Sequence, residues 1–362
     1  MRTFEPELSQ DVAERRDGLR SGWTTGTCAS AAAKAAALGH VTGRVPGDIE
    51  VGLPSGRRVS FQVEALSATT AVVVKDAGDD PDCTDGARIT ATVGPAKASV
   101  TDLLAGDGVG TVTKPGLGLP LGTPAINPVP RRMILAALRE VTPSPLEVVI
   151  SVPDGEVMAA KTSNLRLGIV GGISILGTTG VVRPFSTAAY RASVVQQIDV
   201  ASAQGEKTMV LSTGSRSERA AMLLKPELDE VCFVEVGDFT GIALRRSAGA
   251  GIRSVLIVAM AGKITKLAAG VMMTHFHRSK VDNQLMEMAA SSSGAPPQVV
   301  AAATETATAR HFFEACMAAQ FTAPLQELCR LARQSCLAHV NGALDITVCM
   351  VDFEGKAVVA RD

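Results

Sequence analysis

KTMVLSTGSRSERAAMLLK (207–225), CFVEVGDFTGIALRRSA (232–248) and SVLIVAMAGKITKLAAGVMM (254–273) share one rhythm. Each opens on an apolar run of strand length, turns at glycine and continues with helical spacing. Three such units in succession predict parallel strands with helices on the sheet faces, since each helix carries the chain back to start the next strand in the same direction. This half is expected to be α/β with a Rossmann-like parallel sheet. Residues 283–340 read as mainly helical, and ALDITVCMVDF (343–353) as a closing strand.

Upstream the pattern differs. TTGTCASAAAKAAALG (24–39) is a turn followed by an Ala-rich helix, which Thr24 or Thr25 can cap and Gly39 can end. Between Ile49 and Val93 β-branched residues dominate, and IEVGLPSGRRVSFQVEAL reads as a hairpin turning at Pro54–Gly56. Residues 109–134 are rich in Pro and Gly, the signature of loops. A helix at about 131–140 and a strand at 146–152 complete an α+β half, with a boundary expected near 150–165.

Composition sets limits. Apolar residues make up 46% of the chain, enough for a packed core and too many for a disordered one. The formal charge is −1, so the chain as a whole is not built for nucleic acid. Seven cysteines, an odd number with no C-x-x-C pair, fit a reducing compartment better than a disulfide framework. The opening residues hold no apolar run, and the longest apolar stretch, 167–182, carries five glycines and is too short to span a bilayer. A cytoplasmic protein with no membrane partner is expected, and a homo-oligomer stays open.

Charge is segregated. No Asp or Glu occurs in 108–139, 157–198 or 239–281, while these stretches hold Lys114, Arg131, Arg183, Lys263 and Lys266 among other cations. A cleft rich in cations and poor in carboxylates suits a polyanionic small ligand. The plainer reading is that acids elsewhere in the fold neutralise them.

Three Thr-Gly turns stand before helices or within apolar runs: Thr24-Thr25-Gly26-Thr27, Gly177-Thr178-Thr179-Gly180, and Ser212-Thr213-Gly214-Ser215. Helix starts and hydroxyls attract anions, although the same residues simply make good turns. VEVGDFTG (234–241) places Glu235 at a strand end, followed by Gly237, Asp238 and Gly241. Such a turn lets a nucleotide-like cofactor approach the backbone and gives its ribose an acidic acceptor. KDAGDDPDCTDGARI (75–89) gathers Asp76, Asp79, Asp80, Asp82 and Asp85, without the spacing of a calcium loop. These acids either build turns at the sheet edge or supply a base. Cys28 lacks a base nearby in sequence and reads as a packed thiol. His275 and His277 have no third ligand at metal spacing, so no protein-bound metal is expected.

Seven of these blocks, in this order, resemble the CbiD family: LRSGWTTGTCASAAAKAA (19–36), KDAGDDPDCTDG (75–86), VTKPGLGLPLGTPAINPVPR (112–131), LGIVGGISILGTTGVVRPFS (167–186), GEKTMVLSTGS (205–215), VEVGDFTG (234–241) and GKITKLAAGVMMTHF (262–276). Trp23 stands where Phe is usual, Asp85 where the family commonly has His, and THFHRSKVD (274–282) is longer than the usual continuation. The resemblance implies transfer of a methyl group from S-adenosylmethionine to ring carbon C-1 of cobalt-precorrin-5B, giving cobalt-precorrin-6A on the anaerobic cobalamin route. It also implies an α+β domain over 1–160 that contacts substrate and an α/β domain over 161–362 that binds S-adenosylmethionine. On that basis Gly214, Glu235, Gly237, Asp238 and Gly241 are expected at the cofactor. Thr178, Thr179 and Arg183 are expected where cofactor meets substrate. Thr24, Thr25, Gly26, Thr27, Lys114, Arg131, Lys266 and His275 are expected at the substrate, and Asp79, Asp80 or Asp82 as a base. A non-catalytic carrier of the tetrapyrrole is the competing reading. A phosphate-binding α/β enzyme is a third, weakened because STGSRSE lacks the G-K-[ST] of a phosphate loop.

Overall fold

A computed structural model describes residues 18–274, 282–305 and 308–362. Two compact units divide at Ser186/Thr187. The segment 161–186, assigned by its sequence pattern to the second half, belongs by its contacts to the first unit.

In the first unit, β1 (Gly22–Trp23) leads into α1 (Thr25–Thr42). Next come β2 (Asp48–Gly52), β3 (Arg58–Gln62), β4 (Glu64–Ser67), β5 (Thr70–Val74), β6 (Arg88–Pro95) and β7 (Asp102–Ala105). Then follow β8 (Gly108–Val109), β9 (Thr111–Val112), α2 (Pro128–Arg139), β10 (Leu146–Ser151) and α3 (Gly155–Ala159). β11 (Ile169–Val170), β12 (Gly172–Ile173) and β13 (Val181–Val182) end the unit. The expected hairpin is β2–β3, antiparallel with Val51 opposite Val59. A five-stranded sheet runs β4-β5-β6-β10-β7, antiparallel except for β7 beside β10.

α1 packs against this sheet and α2. Its alanines leave no polar face, and a helix apolar all round belongs inside: Cys28, Ala29, Ala31, Ala32, Ala33, Ala35, Ala36 and Ala37 are fully buried. Ile89, Ala91 and Val93 of β6 alternate inward beside it. The glycine-rich segment then lies down in short strands, β11 on β9, β12 on β8 and β13 on β1. Glycine is needed there because a Cβ on Gly172 would lie 2.1 Å from the carbonyl of Gly108.

The second unit holds α4 (Thr187–Ala203), β14 (Thr208–Ser212), α5 (Ser215–Leu224), β15 (Phe233–Glu235), α6 (Thr240–Gly249), β16 (Ser254–Met260) and α7 (Ala261–Ala268). Further on come α8 (Asn283–Ser292), α9 (Pro297–Glu305), α10 (Ala309–Ala318), α11 (Ala323–His339), β17 (Asp345–Val351) and β18 (Val358–Arg361). The sheet order is β15-β14-β16-β17-β18. The first four strands are parallel, and β18 runs antiparallel at the edge. The core of β16 is buried at every position from Val255 to Ala259, as a strand covered on both faces requires. From β14 the chain moves outward to β15, then returns past it to β16. Strand order therefore reverses at the carboxyl end of β14, where open parallel sheets form crevices. Among the described residues no helix is long and apolar enough to cross a membrane.

Candidate active site

The turns at the carboxyl ends of β14, β15 and β16 bring several of the sequence candidates together. Ser212 ends β14 with its hydroxyl buried and without a hydrogen-bond partner among the described residues. Gly214 follows, and no atom lies within 4 Å of where its Cβ would stand. The N–H groups of Gly214, Ser215 and Arg216, at the start of α5, find no acceptor among the described residues. β15 ends at Glu235, whose carbonyl accepts the Tyr190 hydroxyl at 2.9 Å. Gly237 has φ +54°, and a Cβ there would press on the Tyr190 ring at 3.2 Å. Burial, then the carboxylates of Glu235 and Asp238, raise the Tyr190 phenol above its ordinary range. Gly241 is tight for another reason: its Cβ would lie 2.7 Å from Met272 and 3.0 Å from the His339 ring.

Asp238 is held from two segments. Its Oδ1 accepts from the Lys263 ammonium and from the Thr274 hydroxyl at 3.3 Å. Lys263 also donates to Thr274 Oγ1 at 2.9 Å and to the Thr274 carbonyl at 3.2 Å. The Thr274 N–H donates to the Asp238 carbonyl at 3.2 Å, and the Gly241 N–H to Met272 at 3.0 Å. Lys266 is only 9% exposed and donates to the Thr274 carbonyl at 3.3 Å. Burial, then the neighbouring Lys263, lower its pKa. Its amine therefore helps tie this loop together, a setting that does not suit the clamp on substrate carboxylates expected from sequence. His275 lies outside the described residues. Sequence reading counted Lys263 only among the cations of the acid-free stretch and gave it no role, and it missed Thr274 and Tyr190; a further signal for Lys263 was its place in the first turn of a helix directly after a buried strand.

In the first unit the start of α1 is closed. Thr24 caps the helix, its side chain accepting from Thr27 N–H at 3.2 Å. Thr25 Oγ1 accepts from Leu176 N–H at 2.9 Å and faces the carbonyls of Ser174 and Leu176 at 3.2 and 3.3 Å. Gly26 N–H donates to the Leu176 carbonyl at 3.0 Å, and the Thr27 hydroxyl to that of Gly180 at 2.7 Å. The first Thr-Gly turn thus holds the second in place, and the expectation that residues 24–27 meet the substrate directly gives way to a supporting role. What faces outward is Thr178 and Thr179, both exposed.

The acidic block builds turns. Arg20 pairs with Asp76, and the Arg20 N–H donates to Asp79 Oδ2 at 2.6 Å. Asp80 Oδ1 accepts Phe185 N–H at 2.8 Å, and Asp85 Oδ1 accepts Ala77 N–H at 2.8 Å. Lys75, 2% exposed, pairs with Asp82 Oδ2 at 2.8 Å, while Thr84 takes Oδ1 through its N–H and hydroxyl. Burial pushes the Asp82 carboxyl up, but Lys75 and Thr84 outweigh it and hold it below the usual range. With both oxygens engaged, Asp82 is not placed to accept a proton.

Carboxylates of this unit pair with Arg20, Lys34, Arg58, Lys75, Arg88 and Lys97. Lys114, Arg131 and Arg183 have no carboxylate partner among the described residues. Lys114 lays its stem over Gly168, and Arg131 sits in the first turn of α2, whose Pro130 covers Gly26. Leu121, Leu165, Val170 and Leu176, in the same glycine- and proline-rich loops, are 47% to 61% exposed. Among the described residues no group of three or more His, Cys, Asp or Glu is arranged to hold a metal ion.

A family model described as CbiD matches residues 12–184, and one described as CbiD, C-terminal domain, matches residues 273–362. The chain is 55% identical to a protein of Salinispora arenicola named cobalt-precorrin-5B C(1)-methyltransferase, over 98% of this chain and 96% of the relative. A Rubrobacter xylanophilus protein of the same name is 54% identical over 97% and 93%. The solved structure of the cobalamin biosynthesis protein cbiD from Archaeoglobus fulgidus is 31% identical, with a TM-score of 0.41, over 74% of this chain and 89% of that one.

Proposed function

The chain belongs to the CbiD family, and we propose that it methylates C-1 of cobalt-precorrin-5B, forming cobalt-precorrin-6A on the anaerobic route of cobalamin biosynthesis, in the cytoplasm. S-adenosylmethionine supplies a methyl group already activated on a sulfonium, so no nucleophile of the protein is required.

The strand-end turns of the second unit fit such a donor. Gly214 leaves room for close approach, and among the described residues the first N–H groups of α5 and the buried hydroxyls of Ser212 and Thr240 have no partner. Gly214, Gly237 and Asp238 would hold it, in a Rossmann-like use of the point where strand order reverses. Glu235 and Gly241 shape the turn around it, through Tyr190 and Met272.

The observation that carries the substrate reading is the set of uncompensated cations in the first unit. Lys114, Arg131 and Arg183 stand without carboxylates among exposed apolar side chains. A tetrapyrrole has an apolar ring and a rim of acetate and propionate groups, and such a surface matches both. Thr178 and Thr179 line the same loop. The protein's work is alignment of C-1 with the methyl carbon and exclusion of water. Asp79 and Asp80, each with one oxygen engaged by a backbone N–H, keep the other for a proton released from the ring.

Calorimetric titration tests this. Saturable binding of S-adenosylmethionine and S-adenosylhomocysteine is expected. Arg183→Ala and Lys114→Ala should weaken binding of a cobalt tetrapyrrole while leaving S-adenosylhomocysteine unchanged. No cofactor binding with or without the corrinoid would instead leave a carrier.

A further inference from the structure

We infer that Lys263 and Thr274 are positioning residues, which take Oδ1 of Asp238 and so turn its Oδ2 toward the ribose hydroxyls of the methyl donor. The inference rests on the reading of the strand-end turns as the S-adenosylmethionine site. Oδ1 receives both the Lys263 ammonium and the Thr274 hydroxyl, whereas Oδ2 has no partner among the described residues. A carboxylate fixed through one oxygen presents the lone pairs of the other in a defined direction, as a pair of neighbouring O–H donors requires.

An ordinary surface ion pair is the plainer account, since both side chains are about a quarter exposed. Three features go beyond it. Lys263 meets three acceptors at once: Asp238 Oδ1, Thr274 Oγ1 and the Thr274 carbonyl. The backbone repeats the tie through Thr274 N–H to the Asp238 carbonyl. The groups come from three places in the chain, the loop after β15, the first turn of α7 and the segment after α7, so the carboxylate cannot turn without moving two neighbours. Glu235, by contrast, ends its strand and contributes a carbonyl to Tyr190.

The test is calorimetry on the full chain with S-adenosylhomocysteine and its 2′-deoxy form. A hydrogen bond to a charged group predicts that wild type prefers the ribose form by about tenfold or more. Asp238→Asn and Lys263→Met should bring the ratio close to one. Thr274→Val should lower it less, and Lys263→Arg should restore part of it. If Lys263→Met weakens both ligands equally and keeps the wild-type ratio, the residue is merely structural and the inference fails. If wild type binds without ribose preference while Gly214→Val still weakens it, the site stands and the inference falls. If wild type binds neither ligand, the site itself is misread. Thr274→Val and Lys263→Arg carry the test if Lys263→Met does not fold.

Discussion

Two turns with nearly the same residues behave in opposite ways. Thr24-Thr25-Gly26-Thr27 and Ser212-Thr213-Gly214-Ser215 both open helices and both looked like anion sites. At the first, Gly26, Thr27 and Cys28 N–H groups and the hydroxyls of Thr25 and Thr27 are satisfied by the protein itself. At the second, the first helical N–H groups and the Ser212 hydroxyl have no partner among the described residues. The difference lies in long-range contacts. Residues 174–180 come back some 150 positions later in the chain and cover the first turn, while no segment of the described protein does this for the second. A Thr-Gly motif is a site only where the fold leaves its donors uncovered.

The comparison predicts a graded series. Gly177→Val should have the largest effect, because φ is +127° and the new side chain would start 2.4 Å from Thr24. A loss of about 3–5 kcal/mol is expected by chemical denaturation; a wild-type midpoint would break the claim that the first turn is sealed. Thr25→Val removes the hydroxyl that serves Leu176 and leaves buried backbone groups unpaired. About 1–3 kcal/mol should be lost, with affinity for S-adenosylhomocysteine unchanged. Gly214→Val should do the reverse. Its backbone is extended (φ 173°) and nothing crowds its Cβ, so stability should shift by less than about 0.5 kcal/mol while cofactor affinity falls.

At neutral pH the smallest effect concerns Cys28, in the first turn of α1, whose thiol matters only at high pH. Burial pushes its thiol up to about 12 from 9.0. A pKa raised by folding adds stability that is complete below the unfolded value and fades as pH rises toward the folded one. Cys28→Ala should therefore flatten the decline in stability between pH 9.0 and about 12. Native protein at neutral pH should leave Cys28 unmodified by iodoacetamide, as read by peptide mapping; rapid labelling would mean that the α1 turn is open after all.

Much of this was legible in the sequence. The parallel pairing of β14, β15 and β16 and the β2–β3 hairpin follow from periodicity and glycine placement, which are local signals. The Ala-rich run gave α1, while its burial against the sheet and α2 emerges only from the structure. The segment 161–186 was misassigned because its short strands pair with residues 22–23 and 108–112, contacts that no local pattern encodes. The acidic block was rightly seen as turn-forming or functional, but which acid is bound at both oxygens depends on Lys75, a buried cation at the end of an apolar strand. Charge segregation was legible directly: Lys114, Arg131 and Arg183, which it singled out, are among the first-unit cations without a carboxylate partner among the described residues.

The chain holds a single tryptophan and a single tyrosine. Trp23 lies in β1, edge-on to Phe61 with ring centroids 5.4 Å apart, one residue before the cap of α1. Tyr190 leans on Phe239 at 5.7 Å and bonds the carbonyl of Glu235. Each unit therefore carries one native optical probe beside its own candidate site. Selective excitation of indole emission reads the first, and phenol difference absorbance reads the second. Occupancy of the two halves can be followed separately in the unlabelled protein, without introducing any dye.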